Sequence, residues 1–219
     1  MMCDARLFGP QIAAFGGTAL PLVAQDSMTE MARAVLSVAP PRFALAGLSM
    51  GGIVAMEVVR LAPERVSRLA LMDTNPLAES SKVAARRGPQ IAAAEQGRMV
   101  EVVRDEMKPH YLADGPNRQV LLDLCVDMAR ALGAEAFINQ SRALRDRPDQ
   151  QDTLRSTQVP ALVLCGRQDG LCPVHRHELM HDLLPNSTLT IIEEAGHLPT
   201  LEQPQQTNAA LRDWLETDE

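Results

Sequence analysis

A serine, an aspartate and a histidine stand in this chain where they can act on one another. Ser49 lies in Gly47-Leu48-Ser49-Met50-Gly51, a G-x-S-x-G pattern. Asp169 lies in Gly166-Arg167-Gln168-Asp169-Gly170, and His197 in Glu194-Ala195-Gly196-His197-Leu198-Pro199. A serine hydroxyl is a weak nucleophile until a base takes its proton. Imidazole can be that base, and a carboxylate behind it fixes the tautomer and stabilises the imidazolium. The chemistry open to such a set is acyl transfer. The order Ser, Asp, His is the one expected when the serine stands on a strand-to-helix elbow. The backbone N–H of Met50, opening the helix after the serine, is a candidate oxyanion donor.

Such residues act only if rigid elements hold them. Phe43 to Ala46 is a short apolar run suited to a buried strand, and a helical pattern follows from Ile53 to Leu61. Between them, a Cβ at Gly47 or Gly51 is expected to crowd the bend. Val159 to Cys165 reads as a strand that delivers Asp169, and Leu189 to Glu193 as one that delivers His197. Arg68 to Met72 is a further strand, with Asp73 at its end as a rival acid. Helices are expected at Ala5 to Phe15, from a cap at Asp26 or Ser27 to Val38 with Glu30 completing a capping box with Ser27, from Pro173 to Leu184, and from Pro204 to Leu215. In the last of these Ala210, Leu211, Trp214 and Leu215 share a face, which makes Trp214 a core anchor. Ala19 to Ala24 is a strand candidate that Pro21 confines to an edge. The alternation of strands and helices predicts a mostly parallel, doubly wound α/β sheet.

Residues 77–155 differ. They hold no convincing strand, and Ser81 to Gln96, Met99 to Met107, Asn117 to Leu132 and Glu135 to Arg145 read as helices punctuated by Gly97, Gly115, Gly133 and Pro148. An insertion between two core strands reads as a helical cap over the site. Met99, Met107, Leu112, Leu121, Leu122, Leu124, Met128 and Phe137 are candidates for its pocket wall, although helix packing explains each as well. The remaining histidines, His110, His175, His177 and His181, are expected on solvated faces or a loop. Cys165 reads as a buried strand residue and Cys172 as a packing residue near Asp169.

The phrases G-L-S-M-G-G, C-G-R-x-D and G-H-L-P-x-L-E-Q-P resemble the α/β-hydrolase superfamily, and small bacterial serine hydrolases within it. The resemblance runs over most of the chain and is weakest in the middle. It implies a core of residues 1–76 and 156–219 under a cap of 77–155. Within that core it implies Ser49 as nucleophile, Asp169 as acid, His197 as base and Met50 as an oxyanion donor, with no cofactor or metal. Some members carry the acid after the earlier strand, where Asp73 stands. Members also have a strand and an H-G or P-G turn just before the stretch matching Met1-Met2-Cys3-Asp4. The second oxyanion donor therefore falls to Met1 or Met2, and a central strand is expected to be missing. Loss of one such donor lowers rate by ~10²–10³.

The 219 residues suit one large domain, and 46% apolar with 22% charged residues mark a folded chain. A net charge of −7 argues against nucleic acid or an anionic membrane as main partner. The four cysteines lack zinc spacing, and no signal peptide or spanning segment is evident, so a reducing cytoplasm is the expected location. The sequence points to a hydrolase of small, fairly apolar carboxylic esters, thioesters or lactones. The alternatives are a carbon–carbon bond hydrolase with the same triad, or a catalytically weak relative that binds a small ligand.

Overall fold

The computed structural model describes residues 1–217. Four apolar runs form strands: β1 (Phe43–Leu48), β2 (Val66–Met72), β3 (Ala161–Gly166) and β4 (Ser187–Ile192). They pair in the order β1-β2-β3-β4, every pair parallel. Parallel neighbours need a crossover between them. Helix α3 (Met50–Leu61) supplies it between β1 and β2, and α8 (Val174–Leu183) between β3 and β4. Alternate residues of the central strands feed two apolar clusters. Leu69, Leu71, Ala161 and Val163 face one side with α3 and α2 (Met28–Val38). Ala70, Met72, Leu162 and Leu164 face the other, against Leu7 and against Leu211 and Trp214 of α10 (Pro204–Glu216). The sheet is covered on both faces, as the alternating pattern requires.

Register places the functional ends together. Leu48 pairs with Met72, Met72 with Leu164, and Gly166 with Ile192. Ser49, Asp73, Asp169 and His197 all follow these ends, at the carboxyl edge of the sheet where parallel α/β folds bind ligands.

Several expectations need correction. Ala19 to Ala24 is not a strand. Pro21 has no N–H to give, and the carbonyls of Leu22, Val23 and Ala24 instead accept the side-chain amides of Gln140 and Asn139, at 2.8, 3.0 and 3.3 Å. Residues 43–46 are a strand, but not a buried one: Ala44 and Ala46 are exposed, because β1 is an edge strand hydrogen-bonded only to β2 among the described residues. The first helix divides into a 3₁₀ turn (Ala5–Phe8), capped by Asp4, and α1 (Gly9–Phe15). Leu215 is exposed, whereas Trp214 is buried and gives its indole N–H to the Pro160 carbonyl. The Ser27 hydroxyl caps α2 by accepting the Glu30 N–H, but the Glu30 carboxylate pairs with Arg33, so the capping box is half formed.

Between β2 and β3 the chain is helical. It comprises α4 (Ser81–Glu95), the short α5 (Met99–Glu101) running into a π-helical turn (Val102–Met107) and a 3₁₀ turn (Lys108–His110), and then α6 (Arg118–Arg145). Gly133 breaks α6 at φ 82° and ψ 174°, matching the punctuation read from sequence. Glu79 pairs with Arg87 of α4 and with Arg147, at 3.0 and 3.1 Å, and so ties the two ends of this segment. An unforeseen helix, α7 (Gln151–Ser156), packs on α3 and α8. Beside it Glu57, fully buried on α3, accepts hydrogen bonds from Thr29, Arg60 and Gln150. That network joins α2, α3 and α7 without an unpaired charge.

Candidate active site

Ser49 ends β1 and caps α3 with φ 56° and ψ −118°, a conformation few non-glycine residues adopt. Its N–H is held by the Met72 carbonyl at 2.8 Å, and its own carbonyl accepts the Thr74 hydroxyl at 2.8 Å. The hydroxyl makes no capping bond and is left for other work. A Cβ on Gly47 would press into the backbone of Gly51, which explains a glycine there. Gly51 is a correction: a Cβ there meets open space, and the tight second position is Gly52, whose Cβ would strike Thr74.

The Ser49 hydroxyl lies 2.8 Å from His197 Nε2. His197 Nδ1 lies 2.8 Å from Asp169 Oδ2. The other carboxylate oxygen, Oδ1, accepts the N–H groups of Leu171 and Cys172 at 2.8 and 2.9 Å. Burial pushes the Asp169 carboxyl up. The His197 charge and hydrogen bond, with the two backbone donors, outweigh burial and hold it below its ordinary value. An ionised Asp169 fixes the Nδ1–H tautomer and leaves Nε2 free to receive the serine proton.

The histidine loop is held by residues that sequence reading missed. Glu202, at the end of α9 (Pro199–Glu202), accepts the N–H groups of Gly196 and Leu198, on either side of His197, and of Ala113 from the helical segment, at 2.8 to 3.0 Å. Tyr111 accepts the His197 N–H on its carbonyl at 2.6 Å and sets its ring edge-on to the imidazole, 5.0 Å between centroids. Lys108, fully buried, places its ammonium 4.2 Å from the Tyr111 ring centre and 3.4 Å from Cys3 Sγ. The only sequence signal for Glu202 was its place in the L-E-Q-P phrase. Nothing local marks a carboxylate that binds three backbone amides.

Asp73 is fully buried and bonds the Gly166 N–H at 2.9 Å; the carboxylate hydrogen-bonded to His197 is Asp169. Met50 opens α3, so its N–H belongs to the first turn, whose amides lack helical acceptors. Met2 does not offer its N–H to the site, because Gln140 Oε1 takes it at 2.8 Å. The Met1 carbonyl faces Lys108 Nζ at 3.4 Å. His110 and His175 are exposed and His181 is half-buried, but His177 is fully buried, against expectation. Its Nε2 accepts the Thr74 N–H at 3.1 Å, while Nδ1 has no hydrogen-bond partner among the described residues. Met99, Leu112, Met128 and Phe137 are buried, whereas Met107, Leu121, Leu122 and Leu124 are half-buried. Cys165 and Cys172 are buried as packing residues, and the Cys172 N–H is given to Asp169 Oδ1. Asp169, Cys172 and His197 bring three potential ligand atoms within 4.8 Å. The carboxylate and imidazole atoms are already engaged with each other, with Ser49 and with backbone, and burial drives the Cys172 thiol well up. That is a poor donor set for a cation.

A strained serine between a parallel strand and a helix, met by an imidazole and a carboxylate from later strand ends, defines a nucleophile-elbow site on an α/β sheet. The chain belongs to the alpha/beta hydrolase family, whose profile matches residues 4–210. It is 28% identical over 179 residues to a pimeloyl-[acyl-carrier protein] methyl ester esterase of Neisseria meningitidis, covering 78% of this chain and 68% of that protein. It is 25% identical over 209 residues to a bifunctional biotin-biosynthesis protein of Teredinibacter turnerae, covering 87% of this chain but only 36% of that protein. Among solved structures, a thermophilic esterase from Thermogutta terrifontis superposes with a TM-score of 0.87 at 25% identity, over 97% of this chain and 85% of that one. An enol-lactonase from Burkholderia xenovorans shares the fold, with a TM-score of 0.84 at 19% identity over 99% and 88%.

Proposed function

We propose that this protein is a serine hydrolase that cleaves a carboxylic ester through an acyl-enzyme. The observation that carries the reading is the continuous relay from Asp169 through His197 to the Ser49 hydroxyl, both links at 2.8 Å. In this reading Ser49 Oγ attacks the ester carbonyl while His197 Nε2 takes its proton. Asp169 stabilises the imidazolium, and the Met50 N–H receives the developing oxyanion. His197 then protonates the leaving alkoxide, and the same base activates water to release the acid. Residues 77–155 serve as the cap, since Tyr111 and Ala113 of that segment touch the histidine loop.

The similarity to esterases supports an ester as substrate class, and the methyl-ester-cleaving relative supports a small leaving alcohol. A fairly apolar acyl group belongs to the same reading, with thioesters and lactones as close chemical variants. Among the described residues no helix is long and apolar enough to cross a membrane. A reducing cytoplasm belongs to the same reading, as four free thiols suit it.

The test is a fluorophosphonate probe and a short-chain nitrophenyl ester, applied to the protein and to Ser49→Ala. Labelling and turnover should both vanish in the variant. Equal background in the two proteins would leave a ligand-binding relative as the better account.

A further inference from the structure

Asp73 lies beside the site without touching His197. It follows β2 in a left-handed conformation, φ 43°, which is unusual for a residue with a side chain. Its N–H is fixed by the Leu164 carbonyl at 2.9 Å and its Oδ1 by the Gly166 N–H at 2.9 Å, so β3 clamps it from two sides. It is fully buried, and its second oxygen, Oδ2, has no donor. Gly166 joins it to Asp169: the Gly166 N–H goes to Asp73 Oδ1 at 2.9 Å, and the Gly166 carbonyl accepts the Asp169 N–H at 3.2 Å, so the two buried carboxyls adjoin.

Two ionised carboxylates cannot adjoin one another away from water, so one of them keeps a proton. The donors decide which. Asp169 has two backbone N–H groups on Oδ1 and the imidazole on Oδ2, whereas Asp73 has one backbone N–H. We infer that Asp73 is a neutral carboxylic acid whose Oδ2 proton is donated to the Asp169 carboxylate, a positioning residue that fixes the acid behind His197. This rests on the reading of Asp169 and His197 given above. It also explains the orphan oxygen, which becomes a hydroxyl donor with a partner.

The surroundings agree. Burial, followed by the Asp169 charge, drives the Asp73 carboxyl well above its ordinary value. The other titratable groups near the pair are Cys165 on β3, Cys172, Glu202, His177 on α8 and His197. Burial pushes the Cys165 thiol up to about 12 and His177 down to about 4, so both are neutral at pH 7. Arg167 lies near Cys165 and Arg147 near Cys172, and neither outweighs burial at those thiols. The hydrogen bond from Asp73 restrains the Asp169 carboxylate and lowers its basicity, which keeps it ionised into weakly acid solution.

Infrared difference spectroscopy of the intact protein reads the proton without any need for activity. Wild type minus Asp73→Asn should show the carbonyl stretch of a protonated carboxyl at pH 7. Asp73→Asn replaces the O–H donor by an N–H donor and keeps the Oδ1 acceptor. It should fold and should label with fluorophosphonate at close to the wild-type rate, with the same acid limb in its pH profile. Asp73→Ala should label roughly 10–100-fold more slowly, and its acid limb should move to higher pH. Absence of the protonated band would overturn the inference, as would an Asp73→Asn variant that does not fold or labels no faster than Asp73→Ala. A band present in a protein without ester turnover would instead count against the proposed function and leave the shared proton standing.

Discussion

At the scale of single residues, the serine elbow depends on how closely two backbones meet. Gly47 faces the Gly51 carbonyl with no room for a methyl group, while Gly51 itself faces open space. Gly47→Ala should therefore displace the start of α3, with a loss on the order of 3 kcal/mol and of probe labelling, whereas Gly51→Ala, a helical position with room for the methyl group, should be neutral or stabilise by up to about 1 kcal/mol. Denaturant melts together with Ser49 labelling check both, and equal effects at the two positions would refute the steric account. From sequence the two glycines looked alike, because the motif gives spacing but not which Cβ vector points into the bend. Ser49, Asp169 and His197 were legible for the opposite reason. Each follows a strand directly or after a short loop, so its place at the sheet edge is written locally. Glu202 and His177 were not legible, since their partners lie in other loops.

At the scale of elements, the histidine loop is an assembly rather than a free turn. Glu202 of α9 holds the N–H groups on both sides of His197 and reaches Ala113 in the helical segment, where Tyr111 accepts the His197 N–H. Glu202→Ala leaves three amides without their acceptor, at roughly 1–3 kcal/mol for each that stays buried. The imidazole then loses its fixed approach to Ser49. We expect kcat to fall more than KM rises, with Glu202→Gln, which keeps one acceptor oxygen, intermediate between Ala and wild type. An unchanged kcat in Glu202→Ala would show that the loop is held by other means. Helix boundaries were largely readable here, because caps and glycines mark them: Ser27 caps α2 and Gly133 breaks α6. The segment 19–24 was misread because its carbonyls are claimed by Asn139 and Gln140, more than a hundred residues away.

At the scale of the whole molecule, the buried titratable groups set how the fold responds to acid. Burial holds His177 at about 4, below its ordinary 6.5. Protons therefore favour the unfolded chain as pH falls between those values, and stability present above pH 6.5 is lost on the way down to pH 4. For a group this buried the full effect is on the order of 3 kcal/mol. Asp169, with a lowered carboxyl, likewise loses stabilisation in acid, while Asp73, with a raised one, acts in the opposite direction. The raised carboxyls of Asp73 and Glu202 offset part of this loss, so melting temperature followed from pH 7 to pH 4 should fall more steeply, or rise less, in the wild-type protein than in His177→Gln. An identical slope in the variant would remove His177 from the account. The parallel order of the sheet was foreseen from strand–helix alternation. The pairing of particular side chains across it was not, because register becomes visible only once the strands are laid side by side.

The central claim is that Ser49 is made nucleophilic by a histidine delivered from the far end of the chain. The most direct measurement is intact-mass and peptide mapping after reaction with a fluorophosphonate, comparing the wild-type protein with His197→Ala. One adduct per chain on Ser49, formed orders of magnitude more slowly without the imidazole, is the predicted result. An adduct elsewhere, or a Ser49 that reacts equally fast in both proteins, would contradict it.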